Sequence, residues 1–101
     1  MEKRWGTEYI IDDNETYSIK FMIIKKGKHH HLKYHYEKTE TLIIVKGTGF
    51  IVNGNKFHKV QKGDVMTILP RNIHKLWSIE DMYVAEINFP NNDDGVCLRD
   101  D

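Results

Sequence analysis

The chain has 101 residues, a mass of 12.0 kDa, 40% hydrophobic and 11% aromatic residues, enough for one small core and too short for two domains, so 1–101 reads as a single domain. Fifteen Lys and Arg offset fifteen Asp and Glu, giving zero net charge and a pI near 7.0, which excludes a polyanionic partner held by bulk electrostatics, and nucleic acid with it. The apolar runs at 21–24 and 42–45 are far shorter than a membrane span, the mean hydropathy is −0.58, and Cys97, the only cysteine, cannot form an intramolecular disulfide; the expectation is a soluble protein of the reducing cytoplasm, with no membrane partner.

A first strand is expected near 5–11, and it is the element expected to join two copies in a homodimer, because a neutral surface offers little repulsion. Residues 17–24 alternate: Tyr17, Ile19, Phe21 and Ile23 are assigned the core face, and Ser18, Lys20, Met22 and Ile24 the outer one. Residues 41–45 are apolar or β-branched on both faces, as in a strand covered on both sides, and Lys46-Gly47-Thr48-Gly49 turns into a strand at 50–52. Asn53-Gly54-Asn55 marks a hairpin to 56–60, since Asn and Gly accept positive φ. Gln61-Lys62-Gly63-Asp64 turns into 65–69, Pro70 stops that strand, and strands at 73–77 and 82–89 complete the series. Residues 90–101 are expected as a short irregular, solvated tail in which Cys97 packs. No stretch supports a helix. Eight or nine short strands must hide their edges, so the fold class is all-β, closed as a barrel or two-sheet jelly roll over about 17–89.

Metal-ligating residue types concentrate in one stretch, from His29-His30-His31 through His35 and Glu37 to Glu40, and one more histidine, His74, follows Pro70. Two neutral imidazoles and a carboxylate suit a divalent transition ion with open positions left for substrate. His35, Glu40 and His74 fall on or beside three different strands, so only a closed barrel brings them together. His29–31 read as a solvated strand entry, with His31, two residues before Lys33 on the same face, as an additional candidate ligand. His58 reads as exposed, and Tyr34 as facing away from Lys33 and His35. Trp5, Trp77 and Tyr36 read as packing aromatics, with Trp77, three residues after His74, also a candidate sugar-stacking platform.

The spacing Gly27, five residues, Lys33, one residue, His35, four residues, Glu40, six residues, Gly47 resembles the first motif of the cupin superfamily, and Gly63-Asp64 through Pro70 to His74 resembles the second. More narrowly, Arg4-Trp5-Gly6, Lys38-Thr39-Glu40 and the acidic tail, with Asp93-Asp94 and Leu98-Arg99-Asp100, look like the cupin domain of type II mannose-6-phosphate isomerases. The resemblance implies a double-stranded β-helix and a divalent Zn, Mn, Fe or Ni ion at His35, Glu40 and His74. It further implies a sugar or sugar-phosphate isomerase; on this chain's own residues, Lys33, His35 and Glu40 are read as catalytic, and Lys33 and Trp77 as substrate contacts. A metal-dependent dioxygenase, a metal-free nucleotide-sugar ketoisomerase or epimerase, and a non-catalytic sugar-binding module are the alternatives.

The chain departs from the pattern at Lys33, where the family places His or Gln, and in a second motif one residue short between Pro70 and His74. Asn72 stands where Gly is common, and Ser78 where Asn is. A protonated amine is no ligand, so two states of the barrel mouth are open. Either three protein ligands hold a metal with Lys33 as a charge partner for substrate, or Lys33 and Glu40 form a buried ion pair and His35 and His74 act as acid/base or hydrogen-bonding groups.

Overall fold

The alternation read from the sequence builds eleven strands in the computed structural model of the chain, which describes residues 1–30, 32–91 and 94–99, Leu32 and Arg99 at the backbone only. They are β1 Glu2–Lys3, β2 Gly6–Asp13, β3 Ser18–Ile24, β4 Leu32–His35, β5 Thr39–Lys46, β6 Thr48–Asn53, β7 Lys56–Gln61, β8 Val65–Ile68, β9 His74–Ser78, β10 Met82–Phe89 and β11 Gly95–Arg99. A six-stranded sheet runs β1-β2-β3-β10-β5-β8 and a five-stranded sheet runs β11-β4-β9-β6-β7, with antiparallel pairing throughout. The two sheets face each other as the all-β double-stranded β-helix that the cupin resemblance implies. Among the described residues no helix is long and apolar enough to cross a membrane.

The interior has an apolar end and a polar end, and the division follows the inward phase of each strand. Along β10 the buried positions are Met82 and Val84, then Glu86 and Asn88; along β5 they are Ile44 and Leu42, then Glu40; along β9, Leu76, then His74, with Ser78 the one buried polar residue at the apolar end of these strands, where it donates to the Ile24 carbonyl at 3.0 Å. The register lines these polar ends up, with Asn88 opposite both Ser18 and Glu40 and Glu86 opposite Lys20. Ile51 and Val60 of the facing sheet complete the apolar core, and each such fully buried aliphatic side chain contributes about 1.5–3 kcal/mol.

Loop chemistry sets the strand ends. Gly54 (φ 65°) forms the tip of the expected β6–β7 hairpin, with Asn53 paired to Lys56. Between β5 and β6, Gly47 takes φ 90°, and a Cβ there would lie 2.2 Å from the Asp81 carbonyl oxygen, so no larger residue fits.

Three expectations about the strands are corrected. On β3 the faces are reversed: Ser18, Met22 and Ile24 are buried inside, while Phe21 lies outside between Tyr9 and Tyr83, with ring centroids 6.5 and 6.0 Å away. Both faces of that strand are rich in apolar groups, and the inward Ser18 is satisfied by the Asn88 amide at 3.2 Å, so alternation alone does not orient it. On β5 the outer face is only half-buried, and Val45 is exposed. The tail is not irregular, because Gly95–Arg99 pairs with β4 as a further strand, on which Cys97 is exposed rather than packed.

Candidate metal centre

Three strands from both sheets deliver the site. Lys33 and His35 share a face of β4, with one residue between them, and β4 belongs to the smaller sheet. The turn over residues 36–38 carries the chain to β5 in the larger sheet, so Glu40 enters from the opposite wall. Pro70 ends the segment after β8, and Arg71 (φ 68°) reverses the chain while donating its backbone N–H to the His35 carbonyl, which sets His74 at the head of β9 beside Lys33.

His35, Glu40 and His74 are all buried, and their nearest donor atoms lie within 4.8 Å of one another. Glu40 Oε1 is 2.6 Å from His35 Nε2 and 3.3 Å from His74 Nε2, and the two imidazoles lie 6.0 Å apart at 26°. Despite these separations the three atoms make no hydrogen bond of acceptable direction among the described residues. Leaving three buried polar atoms unsatisfied is costly unless another group completes them.

The far sides of both rings are engaged. His35 Nδ1 is 3.0 Å from the Asp94 carboxylate, and His74 Nδ1 is 3.1 Å from the Asn72 carbonyl oxygen. Both partners only accept, so each Nδ1 carries the proton and donates it, and each Nε2 presents its lone pair to the site when the ring is neutral. Outward Nδ1–H donation to a carboxylate or a carbonyl is the arrangement that prepares histidine as a ligand. The donor set and its second contacts therefore fit a divalent ion with open positions.

The charges around Glu40 are sharply divided. Burial alone raises its pKa, but the close approach of the His35 and His74 rings, the hydrogen bond from Glu86 and the positive charge of Lys33 outweigh burial and hold it well below the usual carboxylate range. Glu86 goes the other way: burial, the Glu40 charge and the hydrogen bond to Glu40 push it up to about 8, against the pull of Lys33 and Lys20. At neutral pH the pair therefore consists of a carboxylate, Glu40, and a carboxylic acid, Glu86, that donates to it.

The Lys33–Glu40 ion pair of the metal-free alternative does not form: among the described residues Glu40 has His35 and His74, not Lys33, within 4.0 Å. Lys33 acts on Glu40 and Glu86 through its charge. Trp77 is not brought to the site. Its side chain leaves the face of β9 opposite His74 and packs 6.0 Å from Phe50 and 5.6 Å from Phe57, under the Lys75 ammonium. Tyr34 faces away from Lys33 and His35 as expected, with its hydroxyl 3.4 Å from that of Tyr36. Trp5 is buried, 5.0 Å from the His30 ring, and His58 is exposed. The candidate His31, with Asp93 and Asp100 of the tail, lies outside the described residues.

Sequence reasoning missed Glu86, Asn88 and Asp94. For the first two a signal exists, because they continue the inward phase of Met82 and Val84 along β10. Asp94 figures only in the acidic tail of the family resemblance, and nothing local points to its contact with His35, which spans 59 residues.

The family described as "Mannose-6-phosphate isomerase C-terminal" matches residues 1–91. The chain is 27% identical over 97 residues to mannose-1-phosphate guanylyltransferase 2 of Escherichia coli O157:H7, spanning 96% of this chain and 20% of that protein. It is 26% identical over 72 residues to mannose-1-phosphate guanylyltransferase RfbM of Salmonella typhimurium, spanning 71% of this chain and 15% of that protein. The chain thus spans a fifth or less of these curated relatives. In three dimensions it is similar to a cupin-2 domain from Rhodospirillum rubrum, with a TM-score of 0.86 at 19% identity over 96% of this chain and 68% of that one.

Proposed function

Starting from the premise that the chain belongs to the Mannose-6-phosphate isomerase C-terminal family, we propose that this cupin-fold domain is a metal-dependent catalyst acting on a sugar phosphate, with aldose–ketose isomerisation as its reaction. The observation that carries the reading is the convergence of His35 Nε2, Glu40 Oε1 and His74 Nε2, buried and without hydrogen bonds among the described residues, on rings whose Nδ1 atoms are already committed. His35, Glu40 and His74 would hold Zn, Mn, Fe or Ni. The ion, when bound, supplies a Lewis acid that polarises the carbonyl and neighbouring hydroxyl oxygens of the sugar.

The chain's own groups do the rest. Lys33, on the same face of β4 as His35, supplies a positive charge for the phosphate. Glu40 stays ionised at every working pH, and Glu86 orients it by donating to its carboxylate. The curated relatives bear the names of enzymes of mannose 1-phosphate, which supports a sugar phosphate as the ligand class. The test is conversion of mannose 6-phosphate to fructose 6-phosphate by protein stripped of metal and reloaded with Zn, Mn, Fe or Ni in turn. Turnover with one of them is expected, and absence of turnover with all four overturns the isomerase reading.

A second reading, metal-dependent dioxygenase, is favoured by the make-up of the ligand set, since two histidines and one carboxylate with open positions are typical of non-haem Fe(II) oxygenases. Oxygen uptake in the presence of Fe(II) and a candidate substrate, without isomerisation, supports it over the first.

A further inference from the structure

Strand β11 does more than add an edge to the smaller sheet. Its first residue, Gly95, pairs with His35 itself, and the residue before it, Asp94, reaches across with both carboxylate oxygens. Oδ1 lies 3.0 Å from His35 Nδ1, and Oδ2 accepts the backbone N–H of Glu37 at 2.7 Å. The carboxylate is thereby fixed at two points, one on the ring and one on the main chain two residues further on. Gly95 adds a steric condition: a Cβ there would stand 2.8 Å from His35 Cε1 and 3.1 Å from Nδ1, so the backbone of β11 forms the wall against which the ring lies. An acceptor on one edge and a bare backbone against the ring leave His35 a single orientation, with Nε2 aimed at Glu40.

We propose that Asp94 and Gly95 are positioning residues for His35: Asp94 fixes the Nδ1–H tautomer and Gly95 fixes the ring plane, so that the 94–95 segment, far from the motif that contains His35, sets the metal affinity of the site. The inference rests on the metal reading of His35, Glu40 and His74, and it adds a function to a segment whose acidic residue has no role in that reading. Asp94 does not touch the ion or the substrate. It acts through the imidazole, as a carboxylate behind a ligand histidine does, and loss of such a contact costs about 10- to 100-fold in metal affinity.

The experiment has two readouts. The first is Co(II) titration of the full chain, followed by visible absorption and calorimetry, in the parent, D94A, D94N and G95A. The second is the histidine tautomer in the metal-free protein, read from long-range proton–nitrogen NMR correlations, with His74 as internal control because the Asn72 carbonyl, not Asp94, holds it. The expected result is Co(II) binding by the parent, weakened about 10- to 100-fold in D94A, with His35 losing its Nδ1–H preference while His74 keeps it. D94N retains a side-chain oxygen to accept from Nδ1 and is expected nearer the parent in both readouts; it also serves if D94A does not fold. G95A is expected to weaken binding while leaving the tautomer in place. Parent-like affinity in D94A and G95A, or an unchanged His35 tautomer in D94A, overturns the inference and leaves the metal reading intact. Absence of Co(II) binding by the parent overturns the metal reading, and this inference with it.

Discussion

Glu86→Gln should make the metal-free protein more stable in mild alkali and leave its stability near pH 4.5 unchanged. Glu86 is buried beside the ionised Glu40, and its pKa rises from 4.5 to about 8. The native state therefore binds a proton that the unfolded chain gives up between these values, so stability is fully present below about pH 4.5 and is lost as pH rises toward 8. At about 1.4 kcal/mol per pH unit, the full rise corresponds to a ceiling on the order of 5 kcal/mol. Glu40, whose pKa is depressed, acts with the opposite sign: it contributes stability above the unfolded carboxylate range that is lost only as pH falls through its low folded value, outside this window. A glutamine donates an N–H to Glu40 as the carboxylic acid does and has no proton to lose. Urea denaturation of chelated parent and variant from pH 4.5 to 9 should thus give curves that meet at the acid end and separate by about 2–5 kcal/mol at the alkaline end. Parallel curves across the range would refute the assignment of a neutral Glu86.

The remaining predictions concern the charge partner, the outer aromatics and the barrel frame. Lys33→Met should weaken mannose 6-phosphate binding about tenfold while tightening Co(II) binding by a similar factor, because it removes a charge that attracts the phosphate and repels the ion; calorimetry with each ligand separately reads both signs. Trp77→Ala should cost about 2 kcal/mol in urea denaturation, through lost packing on Phe50 and Phe57, and leave Co(II) affinity within about twofold of the parent. Ile51→Ala, at a position with 0% exposure, should cost about 2–5 kcal/mol. Gly47→Ala should cost more than about 2 kcal/mol, since its φ of 90° and the Asp81 carbonyl both oppose a side chain; a melting temperature within a degree of the parent would contradict this.

Strand positions and the trio His35, Glu40 and His74 were legible for a common reason: both are written locally. The hairpin at Gly54 and the stop at Pro70 depend on residues within a turn of themselves, and His35, Glu40 and His74 occupy spaced positions in short motifs. Features that depend on distant segments were not legible. The inward face of β3 is decided by what Tyr9, Tyr83 and Asn88 offer it, and those residues come from other strands. The tail became a strand because β4 had an unpaired edge, which nothing in residues 94–99 announces. Trp77 is the instructive intermediate case. An odd offset from His74 along one strand places it on the opposite face, and that parity is written in the sequence.

The position of β10 has a bearing on how the molecule comes into being. It lies between β3 and β5, and it follows both in the chain; the Asn88–Ser18 contact it makes closes a loop of 70 residues. Until that strand emerges, β3 and β5 have no common neighbour, and each keeps one edge unpaired. A topology dominated by such long closures folds slowly, on the millisecond-to-second scale, because the entropy of each closure must be met before its contacts form. Partly synthesised chains therefore present open strand edges until β10 is made, and the yield of folded protein should respond to chaperone supply and growth temperature.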